Sequence, residues 1–268
     1  MIDPNDPRFV KCSPNDPVPI ESEHGWYRSK EYPETRIEGS ATIDPGAQVS
    51  DTAVVSGYAQ VLHRAIVSGN SRVFGHSRVI NSSKVFGQAR VCDNAIVSET
   101  AQVYGLSEVL WSAHITGNAQ VYGNAAVYGN AKVYGNAAIY GDSLVCGNCV
   151  VCGDTRVSGE AQISGKARVL GKARVDFLAR VMGNQIVNKG HLVGKAINII
   201  GLKWDIVLSG PKTITIRGDE HPISEWIKDP EVSKIPWSSL VCPDDIELYQ
   251  SFIKLIKYHE ELHWPWKG

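Results

Sequence analysis

Three patterns in this chain place reactive residue types at chemically meaningful spacings. His259-Glu260-Glu261-Leu262-His263 sets two imidazoles one helical turn apart around a glutamate, the arrangement that binds zinc and activates water on a metalloprotease helix. Only five residues follow, Pro265 stops the helix, and His221 is the one conceivable third ligand, so the expectation is an exposed polar helix end. Cys146, Cys149 and Cys152 recur at every third residue, a spacing that on its own suggests a metal or iron–sulfur site. His63, His76 and His114 complete the inventory as imidazoles able to face solvent and move a proton.

What positions these residues is a six-residue period running from Thr35 to about Ala196. Its clearest stretch reads Gln120-Val121-Tyr122-Gly123-Asn124-Ala125, followed by Ala126-Val127-Tyr128-Gly129-Asn130-Ala131. Stepping by six from Ile37 to Val193 meets 27 positions, every one Val or Ile, so this residue is the core anchor. Two residues before it stands Ala, Ser, Thr or Cys until Gln185 and His191; two after it, Gly stands at 17 of the 27. Such a unit is too short for a helical hairpin and long enough for a short strand and a turn. Alternation along a strand sends the small residue and the anchor inward and the flanking residues outward. Gly followed by Asn or Asp supplies a tight bend, since both tolerate positive φ. One strand cannot bury its apolar face alone, so the units must stack into an all-β solenoid.

These hexads resemble the left-handed parallel β-helix of the hexapeptide-repeat acyltransferases, in which three hexads make one triangular coil. The resemblance implies about nine coils and a left hand; the general rule for parallel crossovers favours the right. The Gly-Asn-Ala-x-Val-Tyr form is most similar to a group of bacterial and bacteriophage repeat proteins, some carrying a transferase label. The likeness also implies a homotrimer, an acyl-coenzyme A or acyl-carrier donor between adjacent prisms, and a histidine as general base. His114, just before an anchor, beside Thr116 and one coil below Lys132, is the best single candidate for that base. Two departures from the family weigh against the activity: no loop interrupts the coils, and the residue after the anchor is often aromatic.

Residues 18 apart share a face on successive coils. Phe86, Tyr104, Tyr122 and Tyr140 then form one outward column, and Phe74, Cys92, Leu110, Tyr128 and Cys146 another, with Ala126 and Leu144 alongside. Apolar columns of this length point to an interface, with ladder stabilisation as the plain alternative. The same register splits the cysteines, with Cys149 inward and Cys146 and Cys152 outward on different faces. No metal and no cofactor is expected, and a rank of outward threonines for binding ice is lacking.

The chain divides into a Pro-rich extension (1–34), the β-helix (35–196) and a tail (197–268). The extension repeats Pro-Asn-Asp-Pro at 4–7 and 14–17 and is expected as extended coil over the first turn, anchored by Phe9, Trp26 and Tyr27. In the tail, strands over 202–208 and 212–217, a short helix opening at His221 and a longer one from Pro243 make a hairpin-plus-helix appendage that would cover the last coil. Trp204, Trp226, Trp237, Trp264 and Trp266 crowd this segment, and Trp226, Trp264 and Trp266 are candidate contact residues.

With 27 Lys plus Arg against 28 Asp plus Glu, the net charge of −1 offers no electrostatic case for nucleic acid. No basic leader followed by an apolar run opens the chain, and no run of 18 apolar residues suggests a membrane span, so a cytoplasmic location is expected. The reading is a non-catalytic β-helical scaffold working through contacts with itself, as a homotrimer, and with a host or virion protein, in keeping with a phage-encoded virion component or an inhibitor of a host protein. An acyl-CoA-dependent acyltransferase is the alternative.

Overall fold

The computed structural model describes residues 2, 5–13, 24–188 and 253, and the backbone of strands over 191–193, 198–199, 206–210, 213–216 and 219–222. Most hexads contribute a two-residue strand, such as Gln120–Val121, that pairs in parallel with the strands 18 residues away, Gln102–Val103 and Ala138–Ile139. Successive hexads enter three different sheets in rotation, so the chain winds as a three-sided parallel solenoid with eight turns between Ile37 and Val181. The sheet holding Ile37 is termed the first, that holding Ile43 the second and that holding Val49 the third.

The core is one continuous column. Every anchor from Val55 to Val181 is 0% exposed, and so are the small residues before them, Ala119, Ala125 and Ala131 among others. Burying a Val or Ile side chain contributes about 1.5–3 kcal/mol. A small partner is required because three chain segments converge on a narrow axis. Most serines at these positions keep their hydroxyls satisfied, as where Ser107 Oγ donates to Tyr104 O at 2.8 Å, whereas the buried hydroxyls of Ser143 and Thr155 lack a partner.

The corners explain the glycines. Among the described residues, the second position after the anchor takes positive φ from Asp51 to Phe177, with Gly at most of them and Asp51, His63, Asn81, Asp93, Glu99, Trp111 and Phe177 at the rest. At Gly123 (φ 71°) an added Cβ would sit 3.0 Å from Gly141 N on the next turn, so both the dihedral and the close approach favour glycine. The asparagine that follows does not share this conformation, contrary to the expectation for the Gly-Asn pair. Its amide instead builds a ladder: Asn118 Nδ2 donates to Asn136 Oδ1 at 3.1 Å, and Asn136 Nδ2 donates to Asp154 Oδ1 at 2.8 Å.

Backbone bonds between turns have a prevailing direction. In one hexad Arg72, Phe74 and His76 donate their N–H groups to Ala89, Val91 and Asp93 on the C-terminal side. The first turn therefore presents carbonyls at the N-terminal end, and Arg8 meets them there. Its guanidinium, also paired with Asp6 at 2.7 Å, donates to Asp44 O at 2.9 Å, Pro45 O at 3.2 Å and Ile43 O at 3.3 Å. The Asp6 carboxyl is held below its ordinary pKa by that hydrogen bond from Arg8.

The N-terminal extension is more ordered than extended coil. β1 (Phe9–Lys11) and β2 (Trp26–Ser29) pair antiparallel with each other, and β2 pairs antiparallel with β3 (Arg36–Glu38), prolonging the first sheet. Prolines flank these strands rather than interrupt them, which leaves the ladder donors in place. Trp26 and Tyr27 are buried, and Phe9 packs against the core.

The far end departs from the strict period. Val175 pairs with Leu192 rather than Val193, a step of 17 residues. A strict count would put His191 at the small inward position; the shorter step leaves Gly190 two residues before the anchor in the sequence. Gln185, one hexad earlier, is 3% exposed; its Oε1 accepts the Met182 N–H at 2.9 Å, and its Nε2 lacks a partner. Beyond it Asn198–Ile199, Ile206–Gly210, Thr213–Ile216 and Asp219–Pro222 form a four-stranded antiparallel sheet. His221 and Pro222, expected to open a helix, lie in its last strand, where Thr213 pairs with Pro222 and Ile214 with His221. Ile253, expected on the apolar stripe of the long helix, is helical and fully buried. Trp204, Trp226, Trp237, Trp264, Trp266 and the His259–His263 pair lie outside the described residues. No helix of the described residues is long and apolar enough to cross a membrane.

Candidate interaction surface

The residues considered for chemistry do not gather. Cys149 is fully buried with its thiol pushed up to about 11, burial being the main cause, while Cys146 follows a first-sheet strand and Cys152 lies on a second-sheet strand. No group of three or more His, Cys, Asp or Glu among the described residues is arranged to hold a metal ion. His63 occupies a positive-φ corner, and its Nδ1 faces the Asn81 N–H at 3.4 Å. His76 stacks on Tyr58 with ring centres 5.2 Å apart.

His114 stands exposed on the second sheet between Ile96 and Lys132 in register. Partial burial and then the charge of Lys132 lower its pKa, which keeps the imidazole neutral to lower pH. That protonation state suits a base. A shallow groove lined by Arg8, Phe9, Lys30, Tyr32 and Gln48 lies at the N-terminal end and does not include His114.

The outward columns assemble as their spacing of 18 requires. On the third sheet Phe86, Tyr104, Tyr122 and Tyr140 stack at 4.8, 4.9 and 5.0 Å with interplanar angles of 3–5°. Ring faces are thus turned to one another and edges to solvent. Burial raises the pKa of Tyr104 and Tyr122, and Tyr104 Oη lies 3.4 Å from Gln120 Oε1.

The first-sheet column is built differently. Phe74 lies under the Arg90 guanidinium at 5.8 Å, and Arg90 pairs with Glu108 at 2.7 Å. Cys92 is buried, and desolvation, then Asp93, pushes its thiol up to about 12. Beyond Glu108 the outward positions Leu110, Ala126, Tyr128, Leu144, Cys146, Gln162 and Ser164 carry no charge. Tyr128 has its pKa raised by burial and then by a hydrogen bond with Cys146, and Trp111 meets its ring edge-on at 5.2 Å.

Trp111 is a contact candidate that spacing alone passes over. It occupies a corner at φ 59° and is 57% exposed; Phe177 repeats this at φ 56° and 60%. A left-handed dihedral costs a non-Gly residue about 1–2 kcal/mol. Polar corner residues recover part of that by capping the next turn, as when the Gly69 N–H donates to Asp51 Oδ2 at 2.8 Å and the Trp111 N–H to Asp93 Oδ2 at 3.0 Å. An indole or phenyl ring offers no such acceptor. The signal was present in the sequence as two large apolar aromatic residues at a corner position that Gly or a polar residue holds at every other positive-φ corner among the described residues.

A family model described as YdcK Beta solenoid repeat matches residues 89–105 and 119–135, two stretches of nearly one turn each. No curated protein matches the chain. The match and the observed stacking agree on what these residues are, a parallel β-solenoid built from repeats.

Proposed function

We propose that this protein is a non-catalytic scaffold, a left-handed β-helix of the hexapeptide-repeat type with nine coils and a small C-terminal appendage, that works through protein–protein contacts. It associates with itself, as a homotrimer, and presents its outer faces to a partner protein such as a host or virion component of a phage system, inside the cytoplasm. What supports this reading is the surface of the coils. Long uncharged outward columns and large exposed apolar side chains on a monomeric prism are the composition of a surface that is covered in use.

The second reading, acyl transfer from an acyl-CoA donor with His114 as base, is favoured by the lowered pKa of that imidazole. Light scattering after gel filtration, run beside a thermal-shift assay with acetyl-coenzyme A, separates the two. The scaffold reading expects a multimer whose melting point ignores coenzyme A. A shift that disappears in His114→Ala, with the mass unchanged, would establish the enzyme instead.

A further inference from the structure

The large exposed apolar side chains are not spread evenly around the prism. Of eight among the described residues, six lie in the first sheet or on the two edges that border it. Val10 is in β1, Tyr58 and Trp111 follow first-sheet strands, and Leu106, Phe177 and Leu178 precede them. Leu106 and Trp111 bracket the single strand Glu108–Val109 on one turn. The edge opposite this face, between the second and third sheets, carries none of the eight; it holds the Asn118–Asn136–Asp154 ladder. The prism is amphipathic around its axis.

We infer that the first sheet, with Trp111 at its centre of attachment, is the face on which a second copy of this chain docks. This rests on the self-association proposed above and specifies its surface. The size of the face fits the occupant. Eight turns at about 4.8 Å and a width of about five extended residues give roughly 650 Å², near the ~800 Å² each partner contributes to a standard stable interface. Charge on this face is sparse and one-sided: Arg72 and the Arg90–Glu108 pair lie toward the N-terminal half, Arg180 lies at the far end, and the outward positions from Leu110 to Ser164 between them are uncharged. The third sheet is a poorer docking face despite its four aromatic residues, because their ring faces are already stacked on each other.

The chain supplies its own reporters, since Cys146 lies on the first face and Cys152 on the second. In the intact protein, light scattering should show a multimer, and a thiol reagent should label Cys152 well ahead of Cys146, read by peptide mapping. Trp111→Glu should raise the dissociation constant at least about tenfold and expose Cys146. The fold tolerates it, because Glu99 occupies an equivalent corner at φ 60°. Gln120→Lys, on the third sheet, should leave the mass unchanged. A multimer that survives Trp111→Glu but dissociates with Gln120→Lys would overturn this face while preserving self-association. A wild-type monomer would overturn both, and a monomer with Cys146 protected would assign the cover to the chain's own C-terminal residues.

Discussion

The first and third sheets carry similar amounts of uncharged outward surface and use it in opposite ways. Between Lys84 and Arg156 the third sheet has Phe86, Gln102, Tyr104, Gln120, Tyr122, Ala138 and Tyr140, all half-buried or stacked within the chain. The first sheet has seven uncharged positions as well, yet its largest rings and branched chains stand at the corners, Trp111 and Leu106 more than half exposed. Aromatic content therefore does not mark a binding surface by itself. What matters is whether the ring faces are consumed by neighbours 18 residues away or held out by the backbone.

The comparison depends on register, and the largest expected effect tests it. Val121→Asp buries an unpaired charge in a core a few side chains wide and should cost several kcal/mol, whereas Gln120→Asp, one residue away and outward, should shift the melting point little. Equal losses at both would dissolve the distinction between faces. Next, Tyr122→Ala removes two stacking contacts, each worth about 0.5–1.5 kcal/mol, and should lower stability without altering mass. A changed mass would make the third sheet a contact surface too. Gly153→Ala should cost upwards of ~1 kcal/mol, because at φ 84° its Cβ would lie 2.5 Å from Gly171 O. The smallest effect is the most discriminating. Trp111→Gly relieves a left-handed corner costing about 1–2 kcal/mol but removes the edge-on contact with Tyr128, worth about 0.5–1.5 kcal/mol, so the thermal stability of the dissociated chain should change little while self-association weakens; a marked loss of stability with the mass unchanged would mean that the indole serves the prism alone.

Much of the fold is legible in the hexads because each decides its own inward and outward positions. Val121 and Ala119 are buried on local pattern alone, and the aromatic column follows from adding 18 to Phe86. The asparagine ladder was not legible, since Asn118 and Asn136 look like turn residues until the turns are stacked. The slip to Leu192 was hidden for a related reason: Val193 continues the Val/Ile series, and only pairing with Val175 distinguishes it from its neighbour. Of the candidate surface, the columns could be foreseen and their exposure could not, because burial of Cys92 or Tyr104 depends on residues a full turn above and below.

The direction of the bonds between turns gives the prism an axial electric polarity. In most hexads three N–H groups, as at Arg72, Phe74 and His76, donate toward the C-terminal neighbour, against the one that a parallel ladder returns at the anchor. Ordinary sheets cancel most of their dipole, but here the surplus has one sign through eight turns. The N-terminal end is the negative pole, the reverse of an α-helix, and Arg8 sits at it as a counter-charge. Two such prisms lying side by side lower their electrostatic energy when their axes run in opposite directions and raise it when they run together, so the co-directional axes of a homotrimer carry a repulsive backbone contribution that the apolar contacts must exceed.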